Sequence, residues 1–130
     1  MAGPVERAIR ASIEPGGTLY TVSKRAPFVI QAMDEQGVVL LLGRKRAWTR
    51  LSWECLEGIP PFLRERGCVR VGSVFSVDSD ADTLDGYLKQ CINRATAGWI
   101  ASLLAEAGVV DVDAGPPATV RLRLGEPPGG

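Results

Sequence analysis

The chain has 130 residues, of which 45% are hydrophobic and 23% are charged. This length fits one compact domain with its own core, and it excludes most multi-domain enzymes. The sequence contains no histidine, which excludes Ser-His-Asp and Cys-His catalysis and removes the commonest zinc ligand. Lys and Arg together number 15, as do Asp and Glu, so the formal net charge is zero.

The neutral total conceals an uneven distribution of charge. Residues 1–70 hold eleven Lys or Arg against seven Asp or Glu, whereas residues 71–130 hold four against eight. Such a polarity is more informative about partners than the net charge. The positive excess is concentrated at two places in the first half, Lys24-Arg25 and Arg44-Lys45-Arg46.

The cysteines and the apolar runs bear on the cellular setting. Cys55, Cys68 and Cys91 form no CxxC pair, and their apolar neighbours predict buried, unreactive thiols in a reduced, cytoplasmic protein. Residues 1–10 lack the apolar segment of a secretory signal. The longest apolar run covers residues 38–42, far short of the roughly 20 residues that cross a bilayer, so we expect no membrane association.

In chain order, the first predicted elements are a short helix and a β-meander. Apolar residues four apart predict a helix over residues 5–13, which the Pro-Gly-Gly of residues 15–17 ends. Alternating and continuous apolar runs then predict three or four antiparallel strands. These segments are residues 18–23, 28–33, 38–42 and 47–51, with turns at 34–37 and after Gly43.

The next segment is predicted to contain short helices. Ser52 is a good N-cap for a helix over residues 53–57, which we expect Gly58 and the following Pro60-Pro61 to break. A further helical turn is expected over residues 61–66 and a strand over residues 68–72.

A pair of helices and a hairpin are predicted to follow. Residues 83–93 have an amphipathic period, and Thr96 is expected to cap a second helix that Gly108 ends. The final hairpin pairs residues 109–112 with residues 118–124. The Pro- and Gly-rich residues 125–130 predict either a linker within a longer polypeptide or a frayed natural terminus.

The helix pair and hairpin resemble a winged-helix unit. Residues 99–112, Trp-Ile-Ala-Ser-Leu-Leu-Ala-Glu-Ala-Gly-Val-Val-Asp-Val, are similar to the second helix and first wing strand of many bacterial winged-helix proteins. The resemblance covers about the last 45 residues and implies DNA binding through the second helix. The positions of that helix expected to be exposed lack the Arg, Lys, Asn or Gln that read base edges. They are Ala97, Ala101, Ser102, Ala105 and Glu106.

Together these elements predict an α+β fold, in which a small antiparallel sheet is followed by a helix pair and a terminal β-hairpin. A single domain is expected over residues 1–124, with the β-meander at residues 18–51 and the winged-helix-like unit at residues 83–124. Residues 125–130 form the tail.

The run from Gly43 to Arg50 is the clearest candidate for a functional site. It places three consecutive cations at a turn, an aromatic residue two positions later, and another arginine at position 50. Cations neutralise phosphates and an aromatic ring stacks on or wedges between bases, so this combination is typical of nucleic-acid binders. The alternative is a solvated turn with Trp48 packed in the core.

Other patterns predict structural roles. Trp53, Trp99, Tyr20 and Tyr87 are expected in the core. The helical pair Glu54 and Glu57 has no convergent partner that would make it an acid/base pair. The alternate carboxylates lack the glycine and the closing glutamate of a calcium loop, so we expect a surface loop that charges the start of a helix. These carboxylates belong to Asp78, Asp80, Asp82 and Asp85, and Asp82 and Thr83 are the expected caps.

The sequence thus predicts a DNA-binding module without catalytic residues, metal or cofactor. Its partner would be double-stranded DNA, including modified DNA, in the setting of a larger DNA-processing or modification-dependent restriction enzyme with a fused catalytic domain. The alternative is a protein-interaction or dimerisation module that packs through Ala97, Ala101 and Ala105. The predicted DNA contacts are Lys24, Arg25, Arg44, Lys45, Arg46, Trp48, Arg50, Arg121 and Arg123.

Overall fold

The computed structural model describes residues 3–21, 25–71, 83–91, 96–113 and 118–123. The helices there are α1 (Pro4–Ser12), α2 (Trp53–Glu57), α3 (Ile59–Arg66), α4 (Leu84–Cys91) and α5 (Ala97–Glu106). The strands are β1 (Thr18–Tyr20), β2 (Pro27–Met33), β3 (Gly37–Leu42), β4 (Ala47–Ser52), β5 (Cys68–Arg70), β6 (Val110–Asp113) and β7 (Thr119–Leu122). None of these helices is long and apolar enough to cross a bilayer.

The first sheet contains β1 to β4 in sequence order, with every neighbouring pair antiparallel. Its β2–β3 turn is closed by the Asp34 carboxylate, which accepts the backbone N–H groups of Gln36 and Gly37 at 2.8 and 3.0 Å. The meander predicted from alternation is therefore confirmed, with four strands.

The second sheet contains three antiparallel strands in the order β5-β7-β6. The predicted terminal hairpin is present as β6 and β7, and β5 adds to its β7 edge in a register that pairs Val69 with Val120. The predicted α+β class is confirmed by these two sheets and the helices around them.

One cluster of buried apolar side chains spans both halves of the chain. Phe28 and Ile30 of β2 and Leu40 of β3 project from the inner face of the first sheet. Helix α1 contributes Val5 and Ile9, each 0% exposed, because its apolar residues recur every four positions. The core thus lies between the first sheet and the helices, and it leaves the outer face of that sheet outside.

The helix boundaries follow local chemistry in most places. The Ser52 hydroxyl accepts the Cys55 backbone N–H at 3.1 Å, which confirms the predicted N-cap of α2. As predicted, the helix over residues 53–57 ends before the Pro-Pro pair, with Gly58 as its C-cap. Pro60 and Pro61 lie in the first turn of α3, which begins at Ile59 and not at residue 61. Proline suits that turn because its missing N–H would have no helical partner there.

Thr96 precedes α5 as predicted, but its side chain makes no capping hydrogen bond. In the described part of the chain its buried hydroxyl has no hydrogen-bond partner. Thr83, in contrast, caps the start of α4, since its hydroxyl accepts the Gly86 N–H at 3.0 Å. Asp78, Asp80 and Asp82 lie outside the described residues.

The predicted surface role of Asp85 is wrong. Asp85 is 2% exposed in the first turn of α4, and its carboxylate pairs with the Lys89 ammonium at 3.0 Å. A helical i, i+4 pairing thus compensates the burial of this charge.

The prediction of three buried thiols is also wrong. Cys55 of α2 forms a disulfide with Cys91 of α4, 36 residues apart in sequence, and Cys68 carries an exposed free thiol. Contact between α2 and α4 arises only in the folded chain, so the spacing of the cysteines does not predict it.

Helix α5 is covered on more sides than its apolar stripe predicts. It packs against α1, α4, β1 and β6. Ala97, Ala101 and Ser102, which we expected to be exposed, are 4%, 2% and 6% exposed. The small residues of α5 therefore pack inside the protein, because α1 and β1 cover the side of α5 that we expected to be exposed.

Candidate nucleic-acid interface

Two basic turns meet at one end of the first sheet. The backbone N–H of Gly43, at the end of β3, donates to the carbonyl of Pro27, at the start of β2, over 3.0 Å. The β1–β2 connection and the β3–β4 turn are thereby held side by side. We call this region, defined by Arg25, Arg44, Lys45 and Arg46, the basic end.

Local hydrogen bonds fix the backbone of both turns. In the β1–β2 connection the Thr21 hydroxyl accepts the Ala26 N–H, and the Thr21 carbonyl accepts the Arg25 N–H, each at 2.9 Å. In the β3–β4 turn the backbone N–H of Arg46 donates to the Gly43 carbonyl at 3.2 Å. Arg25 and Arg46 both adopt positive φ, 55° and 52°, a conformation that costs a non-glycine residue about 1 kcal/mol. Both turns thus have defined backbone conformations held by hydrogen bonds.

All four cations of the basic end are exposed to solvent. In the described part of the chain, none of them forms an ion pair with a carboxylate. Many other cations do, among them Arg10 with Glu6 at 2.8 Å. The basic end therefore concentrates positive charge that no described carboxylate neutralises through an ion pair.

Two large aromatic side chains are exposed beside the basic end. Trp48 is 56% exposed on β4, so the alternative that packs it in the core is wrong. Tyr20 is 53% exposed on β1, which contradicts its predicted core position. The Arg25 guanidinium lies 5.8 Å from the centre of the Tyr20 ring, within the range of a cation–π contact.

Both aromatic rings belong to the outer face of the sheet. Residues opposite one another in antiparallel strands share a face, and Thr18, Val29, Leu41 and Trp48 are paired in turn across the four strands. Tyr20 is two residues from Thr18 and so lies on the same face. Val29 and Leu41, between the two edges, are partly buried.

Arg50 lies away from the basic end. Its guanidinium bonds the Asp34 carboxylate at 2.7 Å, at the opposite end of the sheet. Hydrogen bonds from the backbone N–H groups of Gln36 and Gly37, together with the Arg50 charge, lower the pKa of Asp34. At this end of the sheet, Arg50 is therefore paired with a carboxylate, unlike the cations of the basic end.

Of the two predicted wing arginines, Arg121 lies in β7 of the second sheet and Arg123 directly follows that strand. The Arg121 Nε lies 3.7 Å from Asp111 Oδ2, and an Arg123 terminal nitrogen lies 3.8 Å from Asp111 Oδ1. One carboxylate thus faces two guanidinium groups, and both arginines stay more than half exposed. Lys24 lies outside the described residues.

The remaining aromatic residues have structural roles. Trp53 is 6% exposed, as predicted, and its indole N–H donates to the Asp34 carbonyl at 2.7 Å. Trp99 is partly buried against the core, with its ring centre 5.8 Å from that of Phe28. Tyr87 is also partly buried and donates its hydroxyl to the Cys55 carbonyl at 2.8 Å. Burial raises the pKa of Tyr87, and the nearby Glu54 charge adds to the effect.

A shallow cavity of about 390 Å³ lies on the second sheet, lined by Cys68, Asp111, Asp113, Thr119 and Arg121. Among the described residues, no group of three or more Cys, Asp or Glu side chains is arranged to hold a metal ion. The cavity therefore offers mixed charge and one thiol, without a recognisable catalytic arrangement.

Sequence reasoning missed Tyr20 as a surface residue, although the signal was available. Tyr20 follows Leu19 in an alternating strand, and Leu19 packs against the core. The alternation that buries Leu19 turns its neighbour outward.

Comparisons with protein-family models, with curated proteins and with solved structures give no match to this chain.

Proposed function

We propose that the protein is a non-catalytic DNA-binding module whose basic end contacts the phosphates of double-stranded DNA. The observation that carries the proposal is the hydrogen bond between Gly43 and Pro27, which joins the two basic turns. It brings together four exposed cations that have no carboxylate partner among the described residues.

The electrostatics of such a contact do not require a basic protein. Binding to DNA gains free energy when cations replace condensed counterions at the phosphates, and this gain depends on local contacts. The zero net charge of the chain instead limits repulsion or attraction at longer range. A neutral protein with one basic end is therefore expected to bind at low salt and to release DNA as salt rises.

The order of elements in the C-terminal half supports a nucleic-acid role. Helices α4 and α5 followed by the β6–β7 hairpin have the order of the winged-helix unit that the sequence resembles. Helix α5 is packed against α1 and β1, however, so we assign DNA contact to the basic end and not to this helix. The winged-helix relationship itself stays a prediction.

Arg121 and Arg123 extend this proposal to the second sheet. Their exposed pairing with Asp111 contributes little stability, since solvent screens such pairs. A phosphate group is able to replace Asp111 as the partner of either arginine at small cost. These residues therefore serve as secondary contacts with the DNA backbone.

The wider setting also remains a prediction. Reading of modified bases, as in a modification-dependent restriction enzyme, is tested by comparing the affinity for unmodified and cytosine-methylated duplexes. Fusion to a catalytic domain stays a prediction. The alternative dimerisation module loses its predicted surface, because Ala97 and Ala101 are buried inside the chain.

Charge reversal in the β3–β4 turn tests the proposal. Arg44→Glu/Lys45→Glu changes two exposed residues without touching the positive-φ position of Arg46. We expect at least a tenfold loss of affinity for a fluorescent duplex at low salt, because two phosphate contacts are lost and two repulsive charges are added.

The matched control is Arg7→Glu/Arg64→Glu, which makes the same change in charge at exposed positions of α1 and α3. This control is expected to bind the duplex within about twofold of the wild type, since non-local charge is screened beyond about 10 Å. Equal losses in both variants, with melting temperatures unchanged, would refute a localised basic end.

A further inference from the structure

The outer face of the first sheet carries two exposed aromatic side chains, with partly buried apolar side chains between them. Tyr20 and Trp48 are each more than half exposed, on the first and last strands of the sheet. Between them, Val29 and Leu41 are direct cross-strand neighbours on the same face. The basic end lies along one side of this face, and the paired Arg50 and Asp34 lie at the other.

The width of this face decides which nucleic acid fits it. Strands are about 4.8 Å apart, so the edge strands β1 and β4 are separated by about 14 Å before their side chains are added. The major groove of B-DNA is about 12 Å wide and admits one helix or a two-stranded ribbon. A four-stranded face therefore does not enter the groove, and paired bases inside a duplex do not reach its rings.

Unpaired bases do reach such a face. Every base has a flat π surface that stacks on an aromatic side chain, regardless of sequence. In a single strand the phosphates are free to lie to one side while the bases lie over the sheet. The basic end lies at one end of this face. Phosphates of a single strand that bind its cations would lie there, while the bases lie over the sheet.

We propose that the outer face of the first sheet binds unpaired bases of single-stranded DNA, with Trp48 stacking on one base and Tyr20 on another. This inference rests on the proposed function, because the basic end would hold the adjoining phosphates. Duplex DNA would then use the basic end alone, whereas a single strand would use the basic end and the aromatic face together.

The test compares a fluorescent oligo-dT strand with a blunt duplex, using the full chain and the variants Trp48→Leu and Trp48→Phe. Leucine keeps an apolar side chain without a π surface, and phenylalanine restores the surface. We expect Trp48→Leu to lose about tenfold in affinity for oligo-dT and to bind the duplex unchanged. Trp48→Phe is expected to retain most of the affinity for oligo-dT.

Tryptophan emission gives an independent readout. The chain has three tryptophans, and Trp48 is the most exposed of them. Oligo-dT is expected to quench emission in the wild type and to leave the emission of Trp48→Leu unchanged. Melting temperatures of both variants control for folding.

The outcomes separate this inference from the proposed function. If charge reversal at Arg44 and Lys45 weakens duplex binding while Trp48→Leu leaves oligo-dT binding unchanged, the outer face does not bind bases. The proposed function then stands and this inference is wrong. If neither nucleic acid binds, the proposed function fails and this inference fails with it. Self-association that Trp48→Leu abolishes, without oligonucleotide binding, would instead assign the face to a protein contact.

Discussion

At the scale of single residues, Glu57 joins two segments that are distant in sequence. Its two carboxylate oxygens accept the backbone N–H groups of Val5 and Glu6 at 3.0 and 2.9 Å, in the first turn of α1. Those N–H groups have no partner within the helix, and the negative charge also suits the helix N-terminus. Gly3 leaves room for this contact, since a Cβ at that position would collide with the Glu57 carboxylate.

The cap predicts a clear stability difference between two glutamates of α2. Glu57→Ala is expected to lower the free energy of unfolding by about 1–2 kcal/mol, because it leaves the start of α1 uncapped. Glu54→Ala, at an exposed position of the same helix, is expected to change it by less than about 0.5 kcal/mol. Urea unfolding measures both, and equal effects would show that Glu57 is not a cap.

Tyr87 predicts a dependence of stability on alkaline pH. Burial raises the pKa of its hydroxyl above the ordinary value of 10.0, so the unfolded chain loses this proton at a lower pH than the folded chain. The stabilisation is complete below pH 10.0 and is lost as pH rises through the raised pKa.

Tyr87→Phe isolates this effect. The variant lacks the hydrogen bond to Cys55, so we expect it to be less stable at neutral pH by about 1 kcal/mol. Its unfolding free energy is expected to fall less steeply than that of the wild type above pH 10.0. Chemical unfolding at a series of pH values measures the difference, and parallel curves would contradict the role assigned to Tyr87.

At the scale of elements, the disulfide connects α2 to α4 and closes a loop between residues 36 apart. A cross-link of this span restricts the unfolded chain and is worth about 4 kcal/mol in chain-entropy models. Cys91→Ala, or a reducing agent, is therefore expected to lower the unfolding free energy by about that amount.

Cys68 supplies the control for this prediction. It is exposed and unpaired, so Cys68→Ala is expected to leave both the stability and its response to reductant unchanged. Wild-type stability that is the same with and without reductant would contradict the contribution assigned to the Cys55–Cys91 bond.

Elements with a strong local pattern were predictable from the sequence. The alternation and apolar runs between residues 18 and 51 predicted the meander, and the Ser52 cap located the start of α2. The side of α5 that is covered was not predictable, because α1 and β1 reach it only through the tertiary fold. The same reason applies to the disulfide.

The candidate site was predictable only in part. The sequence identified the two basic turns, and the antiparallel meander implied that they lie at one end of the sheet. It did not show that Arg50 pairs with Asp34, since that contact depends on sheet twist and side-chain reach. Nor did it show that Trp48 is exposed, because an aromatic residue in an alternating strand suits either face.

At the scale of the whole molecule, charge is divided between two regions of different character. The cations at one end of the first sheet have no ion-pair partner among the described carboxylates, whereas Arg121 and Arg123 at the second sheet face Asp111. Because the net charge is zero and the basic end holds four cations, the rest of the chain carries a formal charge of −4. DNA is therefore expected to bind mainly at the basic end. Its affinity should therefore depend strongly on salt and on few residues.

The salt dependence of duplex binding tests this account most directly. The logarithm of the binding constant is expected to fall with the logarithm of salt concentration. The four cations of the basic end contribute about −3.6 to the slope, and Arg121 and Arg123 add up to about −1.8 if both contact phosphates. Arg44→Glu/Lys45→Glu should reduce the magnitude of that slope by about 2, whereas Arg7→Glu/Arg64→Glu should leave it unchanged. A slope near zero, or the same slope in all three proteins, would contradict DNA binding through the basic end.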